Sequence, residues 1–441
     1  MTRRNMLPML LVCLALSSPH AAALDVDAYN LVWTAPSADA AGAMPIGNGV
    51  VGLNVWVERD GDLLFYIARV DAWSECERLL KLGRVRISVA PNPFAAGRPF
   101  RQELRLRTGD IYITAGAGAD RIEFFVWVSA AAPVIFVECR AYRPLSLAVQ
   151  LENWRTERRT LTDPVERQSS WTMRDAPPDV VAREVWEAPD VFADEPNAVV
   201  WYHRNAHSIV PFTLKHQGLT EIARQFSDPL LNRTFGGRME SAELTPTGPD
   251  TLAGANVQQA TIRITTDAAQ APTAAAWVEQ VNALAAAASN VNEQRSATMR
   301  WWEDFWRRSW IFVEGDPAAA APTSSRPAPA AATSPTPPSR VTQAYILQRW
   351  VAACASRGPF PPKFNGSIFT VEPKFTEGRP FNADWRKWGG CYWWQNTRLP
   401  YYPMLAAGDF DLMAPLFAYY ESAVPGCRAR AKLYYNADGV Y

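Results

Sequence analysis

Residues 50–70, VVGLNVWVERDGDLLFYIARV, decide the fold of the N-terminal part of the chain. Val50–Glu58 and Leu63–Val70 are rich in β-branched and aromatic residues, which favour strands. Between them, Arg59-Asp60-Gly61-Asp62 is a turn signal. Two such runs around a short polar turn predict an antiparallel β-hairpin.

Strand-like runs continue on both sides of this hairpin, with few convincing helices between them. A regular series of short strands predicts a large antiparallel β-sandwich, to which we assign residues 24–268. The further runs are Arg121–Val128, Val134–Cys139, Leu145–Leu151, Ala198–Tyr202 and Ala260–Thr265.

The periodicity changes after Pro272. Residues 273–289 and 291–306 carry apolar side chains at helical spacing, which predicts two helices within a helical linker over residues 269–340. Residues 316–340 are almost entirely Pro, Ala, Ser and Thr, a composition that predicts a mobile loop. A helical domain is expected over residues 341–441. In the second helix one face is expected to dock against a neighbouring domain; it carries Trp302, Phe305, Trp306 and Ser309.

Charge and composition exclude several classes of protein. The chain of 441 residues has 44 Lys and Arg against 44 Asp and Glu, so it lacks the basic surplus of a nucleic-acid-binding protein. With 48% hydrophobic and 20% charged residues, it is neither wholly disordered nor a polytopic membrane protein. No cofactor is implied, and the sequence gives no basis for an oligomeric state.

The N-terminus predicts a signal peptide over residues 1–23. Arg3 and Arg4 precede the apolar run Met6–Leu16, and small residues at 21–23 supply a cleavage site. The run is too short for a membrane anchor, so we expect an exported protein, periplasmic or extracellular. Residues 2–7 also resemble a twin-arginine export signal. Cleavage leaves five cysteines without a Cys-x-x-Cys pair, which argues against a disulfide framework or a structural zinc site.

Two motifs suggest ligands but have simpler explanations. Residues 47–52 match the dinucleotide fingerprint G-x-G-x-x-G, yet no βαβ unit surrounds them, so we interpret these glycines as turn residues. His203 and His207 are spaced so that they could hold a metal, but Arg204 lies between them and no acidic partner is near in sequence. A structural role is therefore expected, and no metal site is predicted.

Residues 381–402 carry the densest group of candidate site residues. Four Trp and three Tyr alternate with amide, carboxylate and guanidinium side chains within 22 residues. Aromatic rings stack on the apolar faces of sugars, and the polar groups match sugar hydroxyls, so this mixture predicts a saccharide site. A buried aromatic cluster is the alternative, although a core normally excludes so many polar groups. The predicted substrate-binding residues, which include one from an upstream motif, are Asn365, Asp384, Trp385, Trp388, Trp393, Trp394, Gln395 and Arg398.

Two regions carry a resemblance to bacterial six-hairpin glycosidases related to glycoside hydrolase family 95. The first is Met44–Gly49 followed by Asp71–Ser74, continuing through residues 82–83, 102–104 and 108–109. The second is Lys363–Gly366 together with Trp393–Tyr402. The chain is most similar to a branch with an N-terminal sandwich of unknown function.

The resemblance implies an N-terminal β-supersandwich, a helical linker and the first part of an incomplete (α/α)6 toroid. It implies an exported protein that acts on or binds oligosaccharides, with inverting hydrolysis in full-length relatives. Asn396 matches one of the two asparagines that position water in that family, and is thus the candidate catalytic residue. Trp394 stands where the other asparagine is expected. The general acid and base would lie beyond Tyr441, so we expect a chain shortened by a frameshift, a split gene or an early stop.

Two other functions remain open. A non-catalytic carbohydrate-binding protein would use the aromatic segment without hydrolysis. A polysaccharide lyase on a similar toroid would use Tyr and Arg as base and charge stabiliser, although residues 341–441 contain no histidine.

Overall fold

A computed structural model describes residues 25–59, 61–95, 97–313 and 339–440. The expected signal peptide, residues 1–23, and all of the expected mobile loop 316–340 except its last two residues lie outside these ranges. In the described part of the chain, no helix combines the length and hydrophobicity that a membrane crossing requires.

The N-terminal part is antiparallel β-structure, as the sequence predicted. Fourteen described strands belong to one hydrogen-bonded system, and β10 and β11 form a separate pair. The strands are β1 (Leu31–Trp33), β2 (Met44–Gly47), β3 (Val51–Val57), β4 (Leu63–Trp73), β5 (Leu79–Ala90), β6 (Phe100–Arg105), β7 (Asp110–Ala115), β8 (Ile122–Val128), β9 (Val134–Glu152), β10 (Arg159–Thr160), β11 (Trp186–Glu187), β12 (Val191–Ala193), β13 (Val199–Arg204), β14 (Arg233–Glu240), β15 (Thr245–Pro246) and β16 (Thr251–Gln270).

Two long strands, β9 and β16, run through the whole system and divide it into two arms. The first half of β9 pairs with β8, in the order β1-β6-β7-β8-β9-β16-β14-β13-β12. The second half pairs with β5, which continues through β4 and β3 to β2. The register between β9 and β16 shifts around Val257, where the system passes from one arm to the other.

The hairpin predicted at residues 50–70 is confirmed as β3 and β4, which pair from Val51 with Arg69 to Val57 with Leu63. Two other predicted runs, Val134–Cys139 and Leu145–Leu151, are one strand rather than two. The polar stretch between them suggests a break in the sequence, but β9 continues through it, and β16 pairs with it on both sides of a register shift.

Strands β3 and β4 are buried at every position, so they have no solvent-facing side. One reason is that residues from the C-terminal part pack on them: Trp56, Leu64 and Tyr66 form a cluster with Ala383 and Val371. This burial on both faces explains why the run is continuously apolar instead of alternating.

Nine described helices complete the chain. The first three are short and lie within the β-region, the next two form the predicted linker helices, and the last four follow residue 339. They are α1 (Pro178–Glu184), α2 (Val210–His216), α3 (Thr220–Ala223), α4 (Ala274–Ala287), α5 (Val291–Trp306), α6 (Arg340–Ala353), α7 (Trp394–Thr397), α8 (Tyr401–Ala407) and α9 (Phe410–Tyr435).

Helix α5 packs between the β-region and the C-terminal helices. Trp302 is buried and stacks on Trp350 of α6 with 4.2 Å between ring centroids. Trp306 donates its indole N–H to the carbonyl of Leu106 at 2.8 Å. These contacts confirm the docking face that the helical spacing predicted.

Of the glycines in the dinucleotide-like motif, Gly49 lies in the turn between β2 and β3 as expected, whereas Gly47 ends β2 and pairs with Gly52 of β3. They allow the C-terminal part to approach closely: a side chain on Gly47 would meet the carbonyl of Cys354, and one on Gly49 would meet Arg357. Gly49 also has φ +92°, which an L side chain rarely adopts.

Candidate functional site

A cavity of about 730 Å³ lies between the β-region and the C-terminal part of the chain. Four aromatic residues line it and form a closed ring of contacts. Trp73 contacts Phe360, Phe360 contacts Tyr419, Tyr419 contacts Tyr392, and Tyr392 contacts Trp73. The ring centroids are between 4.8 and 6.0 Å apart. Polar side chains interrupt this apolar lining, namely Glu77, Thr172, Thr213, Gln217, Arg233 and Ser422.

Glu77 reaches the cavity from the short loop between β4 and β5, residues 74–78. Its amide donates to the carbonyl of Ser74 at 3.0 Å, and its φ of 60° lies in the left-handed region. A non-glycine residue there costs about 1–3 kcal/mol, and such strain is concentrated at functional sites. Gly390 packs against the carboxyl group, where a side chain would collide with it.

The electrostatics of Glu77 suit a proton donor or acceptor. Burial raises the pKa of Glu77 to about 7, although a hydrogen bond from the Thr172 hydroxyl and the charge of Lys363 oppose the change. Burial likewise lowers the pKa of Lys363 to about 7. Both groups therefore change charge near neutral pH, which is the behaviour that acid–base sites require.

Next to Glu77, three tryptophans form an aromatic cluster. Trp171, the neighbour of Thr172, contacts Trp388 and Trp393 with ring centroids 6.1 and 5.4 Å apart. Trp171 and Trp388 also have positive φ, 49° and 57°. Strained backbone at three neighbouring positions indicates that tertiary contacts hold this region in one arrangement.

The predicted site residues lie beside the cavity rather than on its lining. Trp388 and Trp393 belong to the aromatic cluster, and Trp393 is 43% exposed. Trp394 and Gln395 are exposed on α7, and Asn396 and Arg398 are partly buried at its C-terminal end. None of the nine residues lines the cavity, whereas Gly390 and Tyr392 of the same segment do.

Three predicted residues attach the C-terminal segment to its surroundings. Asn365 donates its amide to the carbonyl of Lys387, and Trp385 donates its indole N–H to the carbonyl of Val165 at 3.0 Å. Asp384 is buried, and its carboxylate accepts from the amide of Lys81 at 2.6 Å.

The same carboxylate of Asp384 accepts from the indole of Trp154 at 2.6 Å and from Arg155 at 2.9 Å. Arg155 also pairs with Asp190 at 2.7 Å. Asp384 thus joins a buried network of charges that links the C-terminal segment to the β-region.

His203 is part of this network. Its two ring nitrogens lie 2.8 Å from Glu75 and 2.9 Å from Asp190. Burial opposes protonation, but the two carboxylates outweigh it and raise the pKa of His203 to about 10. His207 instead stacks on Trp186, with ring centroids 3.7 Å apart.

Glu77 was not among the site residues predicted from the sequence. A signal was present, because Glu75, Glu77 and Arg78 stand between two strongly apolar runs, and charged residues in such a place need a specific partner or a function.

Among the described residues, no group of three His, Cys, Asp or Glu side chains is arranged to hold a metal ion.

A model of the family called "Domain of unknown function (DUF5703)", in its N-terminal part, matches residues 32–311. A comparison with curated proteins gives no match.

Solved structures that are similar to the chain include two carbohydrate-active proteins. One is described as a kojibiose phosphorylase from the human microbiome, with 11% identity and a TM-score of 0.48 over 94% of this chain and 51% of that one. The other is a bacterial glucoamylase complexed with acarbose, with 9% identity and a TM-score of 0.38 over 90% and 54%. The chain thus spans about half the length of either protein.

Proposed function

The chain belongs to the DUF5703 family, and from that premise and the cavity we propose that it is a carbohydrate-active protein of glycoside-hydrolase type. The observation that carries the proposal is the continuous aromatic lining formed by Trp73, Phe360, Tyr392 and Tyr419. Aromatic rings bind the apolar faces of sugars, and the interspersed hydroxyl, amide and charged groups match sugar hydroxyls. The volume of about 730 Å³ lies within the range of small-molecule sites.

We further propose the finer arrangement that the family resemblance implies. In it, helices α6–α9 are the first part of an (α/α)6 toroid and residues 1–23 direct export. Asn396 would hold the attacking water of an inverting reaction. The tryptophans of the aromatic cluster would extend the saccharide site beyond the cavity.

A non-catalytic binding protein is the second candidate. Among the described residues that line the cavity, Glu77 is the only carboxylic acid, whereas glycoside hydrolysis uses two. Calorimetry with a panel of oligosaccharides, run beside a hydrolysis assay, distinguishes the two. Binding with release of reducing sugar supports the enzyme, and binding without it supports the second candidate. A product that absorbs in the ultraviolet would instead identify a lyase.

Tyr419→Ala is expected to weaken saccharide binding about tenfold or more, because stacking on one aromatic ring contributes on the order of 0.5–1.5 kcal/mol beyond the area it buries. The dissociation constant of the saccharide that binds wild type best measures the effect. Tyr402→Ala is the matched control, since Tyr402 is 58% exposed and lies outside the cavity. If wild type, Tyr419→Ala and Tyr402→Ala bound the saccharide with equal affinity, the cavity would not be the binding site.

A further inference from the structure

Arg233 brings a positive charge to the cavity without a carboxylate partner. Its Nε donates to the carbonyl of Pro229 and its Nη1 to the carbonyl of Asp71, both at 3.2 Å. No ion pair joins it to any residue in the described ranges. Phe360, on the cavity lining, has its ring centroid 6.0 Å from the guanidinium carbon.

The carboxylate of Asp71, which acts on the charge of Arg233, is already neutralised. Asp71 forms a buried pair with Arg69, in which both carboxylate oxygens accept from the guanidinium at 2.9 Å. Burial lowers the pKa of Arg233, with a smaller opposing effect of Asp71, yet a guanidinium keeps its proton in proteins. Arg233 therefore remains a cation whose hydrogen bonds with described residues go to neutral backbone carbonyls.

Two further cations lie close to Tyr392, a residue of the cavity lining. The ammonium group of Lys363 lies 4.3 Å from the ring centroid of Tyr392, a lining residue. Arg386 is buried close by and donates to the carbonyl of Ser367. Neither makes an ion pair with a described residue. Low-dielectric walls of this kind concentrate a positive potential in the cavity.

We propose that the cavity binds an acidic saccharide, one that carries a carboxylate, and that Arg233 selects it. The proposal rests on the proposed saccharide function and adds the class of sugar. A guanidinium matches a carboxylate with two parallel hydrogen bonds, which are stronger than those between neutral groups. Glu77, the acid on the lining, accepts from the Thr172 hydroxyl and lies beside Lys363, so it does not neutralise Arg233.

The test is calorimetric titration with two oligosaccharides of equal length and linkage, one of glucuronate residues and one of glucose residues. Wild type is expected to bind the acidic compound at least about tenfold more tightly. Arg233→Gln should remove this preference, because affinity for the acidic compound falls much further than affinity for the neutral one, and Arg233→Lys should retain part of it. Arg224→Gln is the matched control, because it removes the same charge from an exposed position.

The outcomes separate this inference from the proposed function. The role of Arg233 is overturned, and the saccharide site retained, by either of two results. One is that wild type binds the neutral compound as tightly as the acidic one, and the other is that Arg233→Gln loses affinity for both compounds equally. Failure of wild type to bind either compound overturns both proposals. Thermal unfolding of each variant within a few degrees of wild type verifies that the comparison concerns folded protein.

The affinity for the acidic compound is also expected to fall as the pH rises from about 6 to 8. Below this range Glu77 is neutral and Lys363 charged, so the pair carries one positive charge. Above it Glu77 is charged and Lys363 neutral, and the pair carries one negative charge. The other titratable groups that act on Glu77 or are acted on by it, Cys391 and Tyr419, have raised pKa values and stay protonated.

Glu77→Gln should flatten this dependence, because one of the two charge changes is removed. The readout is the ratio of dissociation constants at pH 8 and pH 6, with the neutral oligosaccharide as the reference. A ratio that is the same for both compounds in wild type would contradict the electrostatic argument.

Discussion

Asp384→Ala is expected to lower the free energy of unfolding by about 3–5 kcal/mol, because it removes one partner from a buried ion pair. Asp384 is 4% exposed, and its carboxylate accepts hydrogen bonds from Lys81, Trp154 and Arg155. In the variant, the guanidinium of Arg155 keeps only Asp190 as its carboxylate partner, while two other buried N–H donors lose their acceptor.

Urea denaturation measures this effect. Asp384→Asn should be intermediate, since the amide oxygen can still accept a hydrogen bond but carries no charge. Glu421→Ala, at an exposed acid on α9, should change stability by less than about 0.5 kcal/mol. If Asp384→Ala were as stable as wild type but failed to bind saccharide, the buried network would not be the role of Asp384, and direct contact with substrate would be.

Trp302→Ala is the second large effect, with an expected loss of about 3–5 kcal/mol from an unfilled cavity in the core. The indole stacks on Trp350 and contacts Phe305 at right angles, with ring centroids 5.6 Å apart. It also packs so closely on Gly109 that a side chain there would overlap it. One side chain thus holds α5, α6 and the turn between β6 and β7 together.

We expect Trp302→Ala to lose saccharide binding at urea concentrations near its unfolding midpoint, although Trp302 does not line the cavity. The reason is that α6 leads into the segment that supplies Phe360 and Tyr392. Trp394→Ala is the matched control, since Trp394 is 53% exposed and its loss should leave no buried void. Equal stability of Trp302→Ala and this control would mean that the contact between α5 and α6 contributes little.

Local patterns predicted part of the secondary structure. Helix α5 begins and ends where the spacing predicted. Its first turn is capped by Asn290, which accepts a hydrogen bond from the amide of Glu293, and the helix is amphipathic. The predicted hairpin likewise follows from β-forming residues around a turn. The continuity of β9 was not predicted, because it depends on pairing with β16, more than 100 residues later in the chain.

The candidate site was predicted only in part. The aromatic segment 381–402 does supply Tyr392 and Gly390 to the cavity and two tryptophans to the aromatic cluster. Residue chemistry did not show which of its polar side chains face a ligand. Carboxylates and amides both suit a saccharide site, yet Asp384 is buried and Gln395 is exposed. Burial depends on what packs against the segment, and most of that comes from the β-region.

The sequence by itself determined the hairpin of β3 and β4, the two linker helices and the aromatic character of the C-terminal segment, because these arise from residues close together in the chain. Tertiary structure alone decided the cavity, since Glu77 meets Thr172 across 95 positions and Asp384 meets Lys81 across 303. It also decided which charges are paired: Asp384 pairs with Arg155, 229 positions away, whereas Arg233 lines the cavity without an ion pair to a described residue. Pairing of this kind depends on distance in space, which no local pattern of residues encodes.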